Sequence, residues 1–215
     1  MERHWSRKGI HQSMSKKIVV ISNKKNLKRN YSKFIESCDV VCRSGKLDNI
    51  ESGLTGSRID IALIPVHQRQ AAFSRAEQHL DILKERCRHI CFFEEPSVIQ
   101  SVRKFIEDEK LREIPGMNVE FIPSEFIKKY AGHFFTTTIV LSTWMIENNP
   151  DAEVYFLGDL GTFTRTILPN GCSAVPEKLI MKETKFVRDL ISKGKIIPIL
   201  EDNKPDSQCK YSTRK

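Results

Sequence analysis

The chain has 215 residues, 40% apolar and 29% charged, with a formal charge of +8, which fits an ordinary folded domain. No run approaches the roughly 18 apolar residues of a membrane span, and no internal repeat or low-complexity segment is visible. The positive charge suits a polyanion, a phosphorylated ligand or an anionic membrane surface, and is silent about fold.

Residues 1–16 are basic and lack the apolar stretch of a secretory signal, so they read as a loose tail. Residues 201–215 read as a second tail, leaving one domain over 17–200. Six cysteines (Cys38, Cys42, Cys87, Cys91, Cys172 and Cys209) form no C-x-x-C pair. With no export signal, free thiols and a cytoplasmic location are expected.

The first predicted element is the strand KIVVIS (17–22), β-branched at nearly every position, as a strand covered on both faces requires. It empties into the basic, amide-rich loop SNKKNL. Leu27, Tyr31, Phe34 and Ile35 then follow at helical spacing. DVVCR (39–43) and IDIALIP (59–65) are the second and third strands, the latter stopped by Pro65. A helix with Ala72, Ala76, Leu80 and Leu83 on one stripe leads to the strand HICFFE (89–94). Pro96 opens a further helix with Val98, Val102, Phe105 and Ile106 inward, followed by the strand NVEFIP (118–123). A long helical region from Ser124 breaks between Gly132 and Thr138. The strand AEVYFLGD (152–159), a helix around KETKFVRDLISKGKI and the short strand IIPIL complete the chain. This alternation predicts an α/β, Rossmann-like fold with a mostly parallel sheet flanked by helices. Ligands would then bind beyond the carboxyl ends of the strands, near the loops after Ile21, Arg43, Pro65, Glu94 and Gly158.

In the first of those loops, Asn23 and Asn26 offer side-chain amides at a helix start, where free N–H groups favour anions. Asn23 is equally well placed as a simple helix cap. Arg43 closes the second strand. Arg58 and Asp60, at i and i+2 in an extended segment, fit a structural pair, with a hydrogen-bonding role for Asp60 at the ligand edge as the alternative. Thr136, Thr137 and Thr138 present hydroxyls at a helix start, either as an anion site or as a cap. Of the six histidines, only His67, after the third strand, and His133, before the threonines, are placed for acid–base chemistry. His89 precedes a strand, at the end away from a ligand. No metal-ligand spacing stands out, no cofactor is expected, and the scattered basic residues carry no nucleic-acid-binding signature.

Taken together, three segments resemble the sialyltransferase family, which transfers sugars from CMP-activated donors. Residues 17–60 are similar to its large motif, a strand followed by G-N-S-x-x-L, D-x-V-x-R-x-N and G-x-R. Asn23, Leu27, Asp39, Arg43, Gly56 and Arg58 match, while Ser22 and Gly45 replace a glycine and an asparagine. FTTTIVLSTWMIENNPDAEVYFLGD resembles the small motif, with Phe135 and Thr138 where proline and glycine are usual. KLIMKETKFVRDLISKGKI looks like the terminal H-x4-E motif, with Glu183 on the glutamate and Lys178 in place of the histidine.

The resemblance implies a sialyltransferase-type variant of the GT-A fold. It also implies inverting, metal-independent transfer of sialic acid, or the related Kdo, from a CMP-sugar to a glycan acceptor. Asn23, Asn26, Arg43, Thr136, Thr137, Thr138 and Lys178 would then contact the donor. His133 or His67 would supply the base. Arg58, Asp60, Gly158 and Glu183 would support the site. A cytoplasmic enzyme of this charge would suit the inner face of an anionic membrane. The alternative is a relative of the same fold that binds nucleotide or glycan without catalysis.

Overall fold

The computed structural model describes residues 15–22, 27–44, 47, 50, 53–64, 80–94, 96, 99–130, 136–158 and 177–199, and only the backbone of 177–180. Seven strands, β1 (Lys17–Ile21), β2 (Val40–Ser44), β3 (Ile61–Leu63), β4 (His89–Phe93), β5 (Asn118–Ile122), β6 (Glu153–Leu157) and β7 (Ile197–Pro198), form one sheet. Its order is β5-β4-β3-β2-β1-β6-β7, and every pairing is parallel. Among the described residues the α-helices are α1 (Ser32–Glu36), α2 (Leu80–Arg86), α3 (Ile99–Asp108), α4 (Ser124–Lys129), α5 (Thr137–Asn148) and α6 (Glu177–Ser192). The fold is α/β and Rossmann-like, as the alternation of elements predicts, and the sheet is wholly rather than mostly parallel.

The continuous apolar strands are explained by cover on both faces. Ile18 and Val20 of β1 pack with Val140, Leu141 and Met145 of α5 on one face. Val19 and Ile21, pointing the other way, pack with Ile35 of α1. Further along that second face, Ala62, Ile90 and Phe92 meet Leu83 of α2 and Val102, Phe105 and Ile106 of α3. On the first face, Val187 of α6 joins Ile139 of α5 and Phe156 of β6. The long helical region of the sequence does divide, into α4 and α5.

α5 has no polar stripe. Ile139, Val140, Leu141, Ser142, Thr143 and Met145 are all buried, as befits a helix enclosed between the sheet and α6. Its interior hydroxyls are satisfied within the helix, Ser142 donating to the Thr138 carbonyl and Thr143 to that of Ile139. Among the described residues no helix is long and apolar enough to cross a membrane.

Candidate functional site at the sheet switch point

From β1 the chain builds outward to β5 on one side, and β6 and β7 lie on the other, so the order reverses between β1 and β6. In an open parallel sheet, that reversal opens a crevice beyond the carboxyl ends of the two strands. Ser22 directly follows β1 there, its N–H donating to the Leu157 carbonyl at 2.9 Å. Gly158 directly follows β6 beside it, and a Cβ on Gly158 would overlap the Ser22 hydroxyl. The two strand ends close on each other only because position 158 has no side chain.

α5 runs back along the sheet with its first turn at this crevice. Ser44, the last residue of β2, shares a buried 2.5 Å hydrogen bond with Thr138 Oγ1. On α6, Glu183 lies one turn before the core residue Val187, so the packing that buries Val187 carries the Glu183 carboxylate to the start of α5. Glu183 is 1% exposed. Its carboxylate accepts from the Thr136 N–H at 3.0 Å and from the Thr136 hydroxyl at 2.6 Å. Glu183 therefore caps the start of α5 through Thr136, leaving the Thr137 and Thr138 amides outside this contact. Residues 44, 136, 138 and 183, scattered in sequence, thus form one hydrogen-bonded clasp at the crevice.

Several expectations change. Arg43 is not turned toward a ligand: it is 2% exposed. Its Nε donates to the Arg58 carbonyl, Nη1 to Thr55 Oγ1, and Nη2 to the carbonyls of Thr55 and Gly56, at 2.8–3.0 Å. Burial pulls its pKa down to about 10, against the nearby Glu36 carboxylate, which raises it. Expected as a donor contact, Arg43 instead ties down the loop between β2 and β3.

The G-x-R pattern serves the same loop. Gly56 has φ +65°, and a Cβ there would collide with the Glu36 carboxylate, which accepts from the N–H groups of Ser57 and Arg58. Arg58 donates to the Cys38 and Asp39 carbonyls at 2.8 Å each and forms an ion pair with Asp60 at 2.8 Å. Asp60 precedes β3 and accepts from the Val41 N–H at 2.7 Å, so it lies at the amino-terminal edge of the sheet, away from the crevice. The alternative of a ligand-edge role for Asp60 does not hold.

The hydroxyls of Thr136 and Thr138 are likewise engaged within the protein, and Thr137, half-buried between them, carries the third. The amides of Thr137 and Thr138 lie in the first helical turn, where no carbonyl of their own helix reaches them. Lys178 sits in the first turn of α6, with its side chain outside the described residues. Asn23, Asn26, His67 and His133 lie outside them altogether. A cavity of about 370 Å³ lined by Arg103, Ile106, Glu107, Arg112 and Phe121 lies beside α3 and β5, far across the sheet from the crevice.

The Ser44–Thr138 contact escapes sequence reasoning, because a serine at a strand end has no signal of its own. Only the resemblance to the three motifs points to Glu183, and nothing in the sequence names its partner.

The sheet order, the two-sided helical cover and the crevice at its reversal define a Rossmann-like α/β fold. That fold is shared with the crystal structure of a mammalian sialyltransferase in complex with Gal-β1-3GalNAc-ortho-nitrophenol. The two chains are 16% identical with a TM-score of 0.51, the likeness covering 86% of this chain and 69% of the other. No family model matches the chain, and no curated protein matches its sequence.

Proposed function

We propose that the protein is a CMP-sugar-dependent glycosyltransferase, transferring sialic acid or Kdo to a glycan acceptor with inversion and without a required metal. The observation that carries this reading is the clasp. Ser44 follows directly on the D-x-V-x-R-like strand, Thr136 and Thr138 open the small-motif-like helix, and Glu183 is the glutamate of the H-x4-E-like segment. Three segments that resemble separate sialyltransferase motifs therefore converge on one crevice, on a fold that a sialyltransferase shares.

In this reading Asn23 and Asn26, on the loop leaving β1, hydrogen-bond the cytidine nucleotide. The first-turn amides of α5 and the Thr137 hydroxyl receive the phosphate. Lys178, in the first turn of α6, adds its positive charge to the helix end, in place of the family's histidine. Negative charge grows on the CMP phosphate as the bond to the anomeric carbon breaks, and these donors stabilise it. His133 or His67 accepts the proton of the attacking acceptor hydroxyl.

A second reading, nucleotide binding without transfer, is favoured by Lys178 itself, which at an ordinary pKa is a cation and no base. Calorimetric titration with CMP and CMP-sialic acid, with donor hydrolysis and transfer followed in parallel, tests both. Gal-β1-3GalNAc-ortho-nitrophenol, the compound bound in the solved sialyltransferase, is the first acceptor to try. Donor-dependent product is the expected result. Binding with no turnover on any acceptor selects the second reading, and no binding overturns both.

A further inference from the structure

We propose that His89, Cys91 and Glu120 form a binding site for a thiophilic divalent cation, zinc foremost, on the seam between β4 and the edge strand β5. The parallel register pairs His89 with Asn118 and Cys91 with Glu120. Residues two apart on a strand share a face, so the four side chains form a two-by-two grid on one side of the sheet. The ligand atoms of His89, Cys91 and Glu120 all lie within 4.8 Å of one another.

His89 Nε2 is 2.7 Å from Glu120 Oε2, and Cys91 Sγ is 3.9 Å from the same oxygen. In a tetrahedral zinc site the corresponding N···O and S···O separations are about 3.3 and 3.5 Å. The first distance must widen and the second shorten, each by about half an ångström, which side-chain rotation supplies. A set of one imidazole nitrogen, one sulfur and one carboxylate oxygen selects zinc-like ions over magnesium or calcium.

Access and placement agree with this. The Cys91 side chain is wholly buried, whereas those of His89 and Glu120 are 25% and 37% exposed, leaving an outer coordination position open to water. The Asn118 amide nitrogen is 3.3 Å from His89 Nε2. The grid lies toward the amino-terminal end of β4, three strand spacings (about 14 Å) across the sheet from β1 and its crevice. The bound ion therefore takes no part in transfer; it fastens an edge strand to its neighbour.

Full-length protein stripped with EDTA and titrated with Co2+ provides the test. The expected result is one ion per chain, with a thiolate-to-metal charge-transfer band that zinc abolishes by displacement. Cys91→Ser removes the band, whereas Cys172→Ser and Cys209→Ser retain it. His89→Asn and Glu120→Gln, on the solvent side of the site, weaken zinc affinity by at least about 100-fold and tenfold respectively. These two variants decide the matter if Cys91→Ser does not fold. Absence of a thiolate band, or a band and an affinity that survive the substitutions at 89, 91 and 120, overturns the proposal.

Discussion

At the residue scale, Glu183 and Arg43 show how one kind of sequence signal leads to two structural roles. Both are charged residues in motif-like patterns, and both are buried. Glu183 faces the crevice and holds Thr136. Arg43 turns into the loop between β2 and β3, because the Thr55 and Gly56 carbonyls close over it. Sequence cannot separate these outcomes, since the direction of a long side chain is set by the loop that packs on it. Replacing Glu183 by Ala leaves the Thr136 N–H and hydroxyl without their acceptor, at a cost of about 1–3 kcal/mol. For a chain of this size each kcal/mol lowers Tm by about 2–4 °C. Thermal melts should therefore show a fall of several degrees for Glu183→Ala and a smaller one for Glu183→Gln, which keeps an acceptor oxygen. A Glu183→Ala Tm equal to that of the unmodified protein would show that the clasp adds nothing to stability.

At the scale of elements, the strand and helix order is largely legible in the sequence because each element carries its own period. β1, β2 and β6 read as buried strands from their β-branched and aromatic runs, and α3 shows Val102, Phe105 and Ile106 on one face. α5 is harder to bound from sequence, since its apolar residues surround it and its start is marked only by threonines. How β1 meets β6 is not legible either, because a serine before an asparagine and a glycine before an aspartate look like ordinary loop residues. Their contact yields a prediction. Gly158→Ala forces a methyl group against the Ser22 hydroxyl, costing about 1–3 kcal/mol as overpacking does. In a Ser22→Gly background the same change should cost much less, so a double-mutant cycle of denaturant unfolding should give a coupling of about 1 kcal/mol or more. Strict additivity would show that the two strand ends do not press on each other.

At the scale of the whole molecule, the parallel sheet decides both where a ligand can enter and what it hides. Cys38, Cys42, Cys87 and Cys91 are free and buried. Burial pushes the Cys38 and Cys42 thiols up, Cys42 strongly so, and brings Cys87 up to about 11. A raised pKa leaves little thiolate at pH 7.5, and burial removes access as well. Iodoacetamide applied to the native, EDTA-treated protein at pH 7.5 should therefore spare these four thiols. Peptide mapping should find them alkylated only after denaturation in guanidinium. Rapid labelling of Cys42 or Cys87 in the native state would contradict their burial in the core.

By itself, the sequence determined the α/β class, the seven strands in their order along the chain, and the three segments that resemble sialyltransferase motifs. Local periodicity and short motifs carry that information residue by residue. Only the tertiary structure decided the spatial order of the strands and the reversal between β1 and β6. It also decided that Ser44, Thr136, Thr138 and Glu183 meet there, while His89, Cys91 and Glu120 meet elsewhere. These contacts join residues tens of positions apart. They exist only once strand register and helix packing are set together, and no local pattern encodes that pairing.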